Sequence, residues 1–375
     1  MQKQEKIVVT IFVIILIGFF AADLMTPVKS FSPFENRKLM QRPAFNLKSV
    51  ADGSFMQDFE TYVSDQFVGR NRWIGLKTMT DIMLGQKEIN GIYLATDGTL
   101  IEKHTEEFTE ENIQKTISKL QILESMLQGR CGHFQVLLAP TADNVYVHKL
   151  PKYADVYAQE ALLERIRQSC QNAEFVNVFA CLRSHAQESV YYGTDHHWTS
   201  LGAYYAYEVW AKNLGVQPVS CRMHAVSEQF FGTLHSATNL SFLSPDTIEA
   251  YDYEGQREVY YDFSSEFTTS LYAEKFLNTK NQYGYFLDDN HSFVEIHAAG
   301  RGGETKKGIS LFIIKDSFAN CMIPLLSEHY DTVYVVDLRY YKGKLASLVD
   351  TYVTNDTDVL ILYNMAHFVE EFRFY

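Results

Sequence analysis

Two short stretches of this chain carry side chains that can do chemistry together. The first is Tyr191-Tyr-Gly-Thr-Asp-His-His-Trp-Thr-Ser200, where Asp195, His196 and His197 stand side by side. An aspartate that accepts a proton from one imidazole nitrogen fixes the tautomer, which leaves the other nitrogen to act as a base. The second is Ile313-Ile-Lys-Asp-Ser-Phe-Ala-Asn-Cys321, an apolar run that ends in Asp316 and Ser317. A serine hydroxyl is a poor nucleophile alone and needs a nearby base. The histidine loop supplies one if the fold brings the two stretches together. Other readings stand beside this one. An Asp-Ser at a helix start also serves as an N-cap. Asp195 with two adjacent histidines makes a metal site only with a distant third ligand, from His185, His291 or His297; no metal or cofactor is expected.

The elements around these stretches alternate. Apolar periodicity predicts helices over residues 110–127, 158–170 and 200–212, the last capped by Thr199 or Ser200 and stopped at Gly215. Short apolar runs at 134–140 and 175–179 read as buried parallel strands. Residues 220–305 are less regular and rich in Tyr, Ser and Thr, so a β-rich insertion is expected there. Alternation resumes with strands at 309–314, 332–336 and 358–363 and helices at 318–329 and 344–353. The pattern predicts an α/β fold, a doubly wound, mostly parallel five-stranded sheet. Both reactive stretches then fall at strand ends or helix starts, the edge where ligands collect in such sheets.

The N-terminal third is organised differently. Lys3 and Lys6 precede an apolar run from Ile7 to Ala22, extended by Leu24 and Met25. That approaches the ~20 residues a membrane helix needs. The lysine flank favours a cytoplasmic start and an uncleaved anchor; a signal peptide cut near Ala21 and Ala22 is the rival. Either places the remainder outside the cytoplasm. Residues 26–50 hold three of the eight prolines and read as an extended linker. A helical stretch with Phe55, Phe59, Tyr62 and Val63 on one face follows and restarts after Gly69. Asp97-Gly98 between apolar triplets marks a hairpin. The expected divisions are 1–25, anchor or signal; 26–105, linker with helical and hairpin region; and 106–375, the α/β domain with its insertion.

Composition narrows the partners. A net charge of -13 argues against nucleic acid. The aromatic share of 14% suits either a packed core or stacking on sugars. Five cysteines show no zinc spacing; they form at most one disulfide within the first three, or stay buried as small hydrophobes.

Asp195-His-His-Trp198, Lys315-Asp-Ser-Phe-Ala-Asn320 and Asp337-Leu-Arg-Tyr-Tyr341 resemble the DHHW family of bacterial exported proteins. That family is similar in turn to the SGNH-hydrolase-like domain of the alginate O-acetylation proteins. The resemblance extends to Phe34-Glu-Asn-Arg37, Asp65-Gln-Phe67, Asn90-Gly-Ile-Tyr93 and Gly232-Thr-Leu234, nearly the whole chain. It implies Ser317 as nucleophile, Asp316 as the acidic residue before it, and Asp195 and His197 as an Asp-x-His pair with His196 between. The order Asp, His, Ser reverses that of simple SGNH esterases and implies a permuted sheet. Those enzymes place an oxyanion-hole Asn after the third strand from the serine strand; here the 358–363 strand, two strands on, ends at Asn364. Asn364 and the Ser317 amide are therefore the expected oxyanion donors. Two departures stand out: Lys315 replaces the usual Gly, and Asp337-Leu-Arg339 replaces a Gly-rich block. Arg339 either holds a carboxylate or sugar hydroxyl or pairs with Asp337. Tyr191 and Tyr192 either line a sugar site or pack at a strand end, and Asn290-His291 is a loop turn or a substrate contact.

The expected function is acyl-ester chemistry on an envelope polysaccharide or peptidoglycan, as O-acetyltransferase or acetylesterase. A membrane-bound acyl donor protein is compatible with it. The rival is a non-catalytic glycan-binding or assembly protein that keeps the fold.

Overall fold

The computed structural model describes residues 3–374 except 33, 36, 254 and 300–308. Pro33 of the expected linker, Asn36 of the Phe34–Arg37 motif and residues 300–305 of the insertion therefore lie outside the described residues. The chain divides into two units, one of Met1–Gln86 with Ser236–Phe242, the other of Lys87–His235 with Leu243–Tyr375.

In the first unit, helix α1 spans Lys3–Met25 and is long and apolar enough to cross a membrane. The linker is more ordered than its prolines suggest. Phe31–Ser32 pairs antiparallel with Arg37–Lys38, and Asn46 caps a short helix, Leu47–Ala51. Two longer helices follow, α2 (Ser54–Gln66) and α3 (Arg70–Met83). Between them Gly69 has φ 69°, a left-handed conformation that glycine takes without a Cβ penalty. The sequence motifs of this region explain one another. Arg37 grips the buried Asp65 carboxylate with both terminal nitrogens, at 3.0 and 2.5 Å, while Asp65 also accepts from the Met40 amide.

The second unit is built on an eight-stranded sheet. Its strands in chain order are β1 (Phe134–Ala139), β2 (Glu174–Phe175), β3 (Gln256–Tyr261), β4 (Phe267–Thr268), β5 (Phe293–Ala299), β6 (Ser310–Lys315), β7 (Thr332–Asp337) and β8 (Thr357–Asn364). The spatial order is β4-β3-β5-β7-β6-β8-β1-β2. The five strands expected from the sequence are the parallel ones, β7-β6-β8-β1-β2. Three strands of the 220–305 region join them antiparallel through β5 and β7, which makes eight. Successive residues of β6 point to opposite faces, so Leu311 and Ile313 share one core with Ala203, Tyr207 and Trp210 of helix α6 (Ser200–Leu214). Phe312 and Ile314 join the other core, with helices α4 (Glu110–Leu127), α5 (Gln159–Ser169), α7 (Leu345–Tyr352) and α8 (Met365–Glu371). Helices thus cover both faces of a mixed α/β sheet.

Three local expectations need correction. The strand at 175–179 stops at Phe175, because the Asn177 side chain accepts from the Phe179 amide at 3.0 Å and starts a helix, Phe179–Ser184. The helix expected over 318–329 is a 3₁₀ turn, Ser317–Cys321, and a short helix, Ile323–Leu326. Pro324 has no amide to donate back to Asn320, so one α-helix cannot run through. All five cysteines are free, and only Cys321 is fully buried.

Candidate active site

The loop at 193–199 is held from three sides. Asp246 accepts from the Gly193 amide at 2.7 Å and from the Thr194 amide and hydroxyl at 2.8 and 2.5 Å. At its end Thr199 caps α6, accepting from the Gly202 amide at 3.2 Å, as the sequence suggested. Within the loop, Asp195 Oδ1 accepts from His197 Nδ1 at 2.6 Å and from the His197 amide at 3.1 Å. Its other oxygen accepts from the Thr233 amide at 2.9 Å and hydroxyl at 3.2 Å. Gly232 is needed for that approach, because a methyl group there would overlap the Asp195 carboxylate.

The serine turn comes from the end of β6. Asp316, not Ser317, is its N-cap: Asp316 Oδ1 accepts from the Phe318 amide at 2.9 Å. The hydroxyl is thereby left for another partner. His197 Nε2 lies 2.9 Å from Ser317 Oγ. As first residue of the turn, Ser317 has an amide with no acceptor inside it. Asn364 ends β8, which lies directly beside β6 in the sheet. Its Oδ1 caps α8 by accepting from the Ala366 amide at 3.0 Å, which leaves its Nδ2 as donor.

Charges around this chain of three groups are set by burial and neighbours. Burial alone would raise Asp195, but His196 and His197 outweigh it and hold the carboxyl well below the usual range. Burial pushes His196 down to about 3, and the neighbouring His197 adds to this, so His196 is neutral at ordinary pH. His196 Nδ1 pairs with the Thr233 hydroxyl at 2.9 Å. On the other flank, Asp316 Oδ2 accepts from the Asn364 amide at 3.0 Å and pairs with His367 Nδ1 at 2.9 Å. Burial opposes ionisation of both partners, yet the pair wins: Asp316 is lowered and His367 raised.

The arrangement is a carboxylate, an imidazole and a hydroxyl in line, fixed in a buried setting. The DHHW protein family model matches residues 108–336 of the sequence. The chain belongs to the DHHW family. A solved DHHW family protein from Eubacterium siraeum is similar in fold, with 23% identity and a TM-score of 0.64 over 76% of this chain and 94% of that one. Bacillus cereus PatB1, solved with a sulfonyl adduct, gives 17% identity and a TM-score of 0.62 over 76% of this chain and 100% of its own. The O-acetyltransferase domain of Pseudomonas putida AlgJ gives 15% and 0.46 over 75% and 93%. No curated protein matches the sequence.

The family's Asp-His-His-Trp tetrad has a divided task here. Asp195 and His197 point to the serine, His196 to Thr233, and the Trp198 indole donates to the Phe318 carbonyl at 2.8 Å. Tyr283, which sequence reasoning missed, stacks on the His197 ring with centroids 3.8 Å apart and donates its hydroxyl to the Ser317 carbonyl at 3.1 Å. Burial holds that phenol well above its usual pKa, so it stays a donor.

Other sequence candidates lie elsewhere. Tyr191 is buried and donates to the Pro140 carbonyl at 2.5 Å, so it packs rather than lining a sugar site. Tyr192 is likewise buried, edge-on to Phe230. Arg339 pairs with Asp337, at 2.9 and 2.7 Å. Lys315 turns inward and bonds Asn320, Asn290 and Asp337 at 2.8, 3.2 and 3.4 Å, so it is no cation beside the serine. His185, His291 and His297 pair with Cys181, Asp262 and Glu295 respectively. Donor atoms of Asp195, His196 and His197 lie within 4.8 Å of one another. Both ring nitrogens of His197 are hydrogen-bonded within the site, to Asp195 and to Ser317.

Proposed function

We propose that this DHHW protein performs acyl-ester chemistry on a cell-envelope polysaccharide or peptidoglycan, as an O-acetyltransferase or acetylesterase. The reading rests on one observation: His197 bridges Asp195 at 2.6 Å and Ser317 Oγ at 2.9 Å. Ser317 Oγ attacks the acetyl carbonyl and passes its proton to His197 Nε2. Asp195, ionised throughout, orients the ring and stabilises the imidazolium. The Ser317 amide and Asn364 Nδ2 are the groups available to the oxyanion. As the tetrahedral intermediate collapses, His197 returns the proton to the departing alcohol oxygen and the acetyl group stays on Ser317. A second hydroxyl then gives its proton to His197 and attacks the acyl-enzyme; as the acyl–serine bond breaks, His197 passes that proton to Ser317 Oγ and the free serine is restored.

When that hydroxyl belongs to a sugar the outcome is transfer; when it is water, hydrolysis. The sequence resemblance to the alginate O-acetylation proteins favours transfer, with a membrane-bound acyl donor protein as partner. Helix α1 is read as an uncleaved single-pass anchor that holds the α/β unit outside the cytoplasm. The chain order Asp195, His197, Ser317, with helices on both sheet faces, supports a doubly wound, permuted SGNH-like arrangement.

The test is to mix the full chain, in detergent or vesicles, with a chromogenic acetyl ester. Turnover, with an acetyl adduct on Ser317 in the mass spectrum and loss of both in Ser317→Ala, is the expected result. A chain that gives neither turnover nor adduct but binds glycan is a non-catalytic binding protein, and the proposal fails.

A further inference from the structure

The first unit carries a feature that the acyl chemistry does not use. On α2, Met56, Phe59 and Val63 recur at spacings of three and four, so they share one helix face, and all three are exposed. On α3, Trp73, Leu76 and Met83, spaced by three and then seven (two turns), likewise share one face and are exposed. Large apolar side chains gathered on neighbouring helices mark an interaction surface.

Helix α1 identifies what covers it. The Phe19 ring meets Trp73 edge-on with centroids 5.5 Å apart and stacks on Phe67 at 6.2 Å. The Val68 amide donates to Asp23 Oδ1 at 3.1 Å. Phe19 lies six residues before the end of α1 at Met25. At 1.5 Å per residue that is about 9 Å along the axis. Side chains touching Phe19 therefore sit below the end of the apolar segment, at the depth that interfacial helices reach, about 5–10 Å. Trp73 also suits this level, since its ring is apolar and its N–H is satisfied by the Val68 carbonyl at 3.2 Å. The charge pattern agrees. Residues 26–86 hold eight Lys and Arg against six Asp and Glu, a net positive stretch in a chain of net charge -13. Basic residues beside an apolar face favour anionic lipid.

We propose that α2 and α3 form a membrane-seated collar around the exit of α1, with the faces bearing Phe59 and Trp73 immersed in the lipid interface. The collar restricts the angle at which the chain leaves the bilayer. The inference rests on the reading of α1 as a retained anchor.

The experiment uses the full chain in vesicles of phosphatidylethanolamine and phosphatidylglycerol, with bromine on the upper acyl chain as quencher. Of the three tryptophans, Trp198 and Trp210 are buried in the second unit, so Trp73 reports on lipid contact. Emission quenched in the natural chain and unquenched in Trp73→Phe is the expected result. Adding Leu76→Trp to Trp73→Phe restores quenching. A chain that floats with vesicles but shows no Trp73 quenching overturns the collar and leaves the anchor standing. A chain that does not float overturns both. Crosslinked dimers with Trp73 unquenched assign the face to a second copy instead.

Discussion

The indole nitrogen of Trp198 donates to the main-chain carbonyl of Phe318 at 2.8 Å. One residue after His197 is thus tied to one residue after Ser317, and the bond sets the spacing between imidazole and hydroxyl. Trp198→Phe keeps most of the buried ring but leaves that carbonyl without the indole. Such a loss costs about 1–3 kcal/mol of stability. We expect the variant to remain folded by circular dichroism while acetyl-ester turnover falls by about tenfold or more. Turnover equal to the natural chain's means the tie is for stability alone.

Asp195→Asn tests the orienting carboxylate. An amide can turn its N–H towards His197 Nδ1 and so favour the tautomer with its proton on Nε2. A base with its proton on the wrong nitrogen cannot accept another from Ser317. Turnover should fall by roughly 10⁴, the scale known for this substitution in serine triads. Steady-state kinetics on the same ester measure it, and a fall under tenfold removes Asp195 from the mechanism.

Gly232→Ala acts on the same carboxylate from behind. A Cβ there overlaps the Asp195 side chain, so the carboxylate shifts or the Thr233 amide withdraws. The expected result is a lower kcat with a smaller change in KM, since the fault lies in the reacting groups. Unchanged kcat means the backbone moves away without disturbing His197.

Much of the fold is legible in the sequence for a plain reason. The parallel strands are short apolar runs, and the long helices carry apolar periodicity with a threonine before α4 and α6 and Gly215 after α6. What escapes is whatever depends on residues distant in the chain. Tyr283 is one of 24 tyrosines, and only folding the insertion back places it on His197. Asp246 follows a proline in an irregular stretch, with no pattern to pair it with Gly193. His367 had a signal: it lies three residues past the end of a core strand, on the same sheet edge as Ser317. Thr233 belongs to the Gly232–Leu234 motif, yet its hydrogen bonds to Asp195 need coordinates. Lys315 reads in the sequence only as a departure from the usual Gly; its side chain leaves the turn and fills a polar pocket with Asn290, Asn320 and Asp337.

That pocket makes an asymmetric prediction. Asp337 holds two cations, Lys315 at 3.4 Å and Arg339 at 2.7 Å. Lys315→Met leaves Asp337 with Arg339 but takes the donor from the Asn320 side chain, so the loss of stability should be about 1–3 kcal/mol, the cost of a buried acceptor left unpaired. Asp337→Leu strands the buried ammonium, and breaking a buried pair this way costs about 3–5 kcal/mol. Denaturant titration of both variants decides it; equal losses would show that Lys315 does not depend on Asp337.

The pair of Asp316 and His367 gives the stability of the second unit a pH signature. Burial opposes its charging, but the Asp316 carboxylate raises His367 above its ordinary 6.5. The folded state therefore holds that proton more tightly than the unfolded chain does. This contribution is complete below about pH 6.5 and fades as pH rises through the raised value. Asp316, buried yet lowered from 3.8 by His367, Arg339 and the Asn364 amide, behaves in the opposite sense. Its contribution is present above about pH 4 and lost as pH falls through the depressed value. The two windows overlap between about pH 4 and 6.5, where the pair stabilises most. His367→Gln should therefore cost most stability at about pH 5 and progressively less towards pH 9, read as the difference between the two denaturation curves at each pH. Asp316 also caps the serine turn through the Phe318 amide, so the variant should lose ester turnover alongside stability. A difference that stays flat across this range would mean that His367 is neutral in the folded protein, and that the turn is held by its backbone bonds alone.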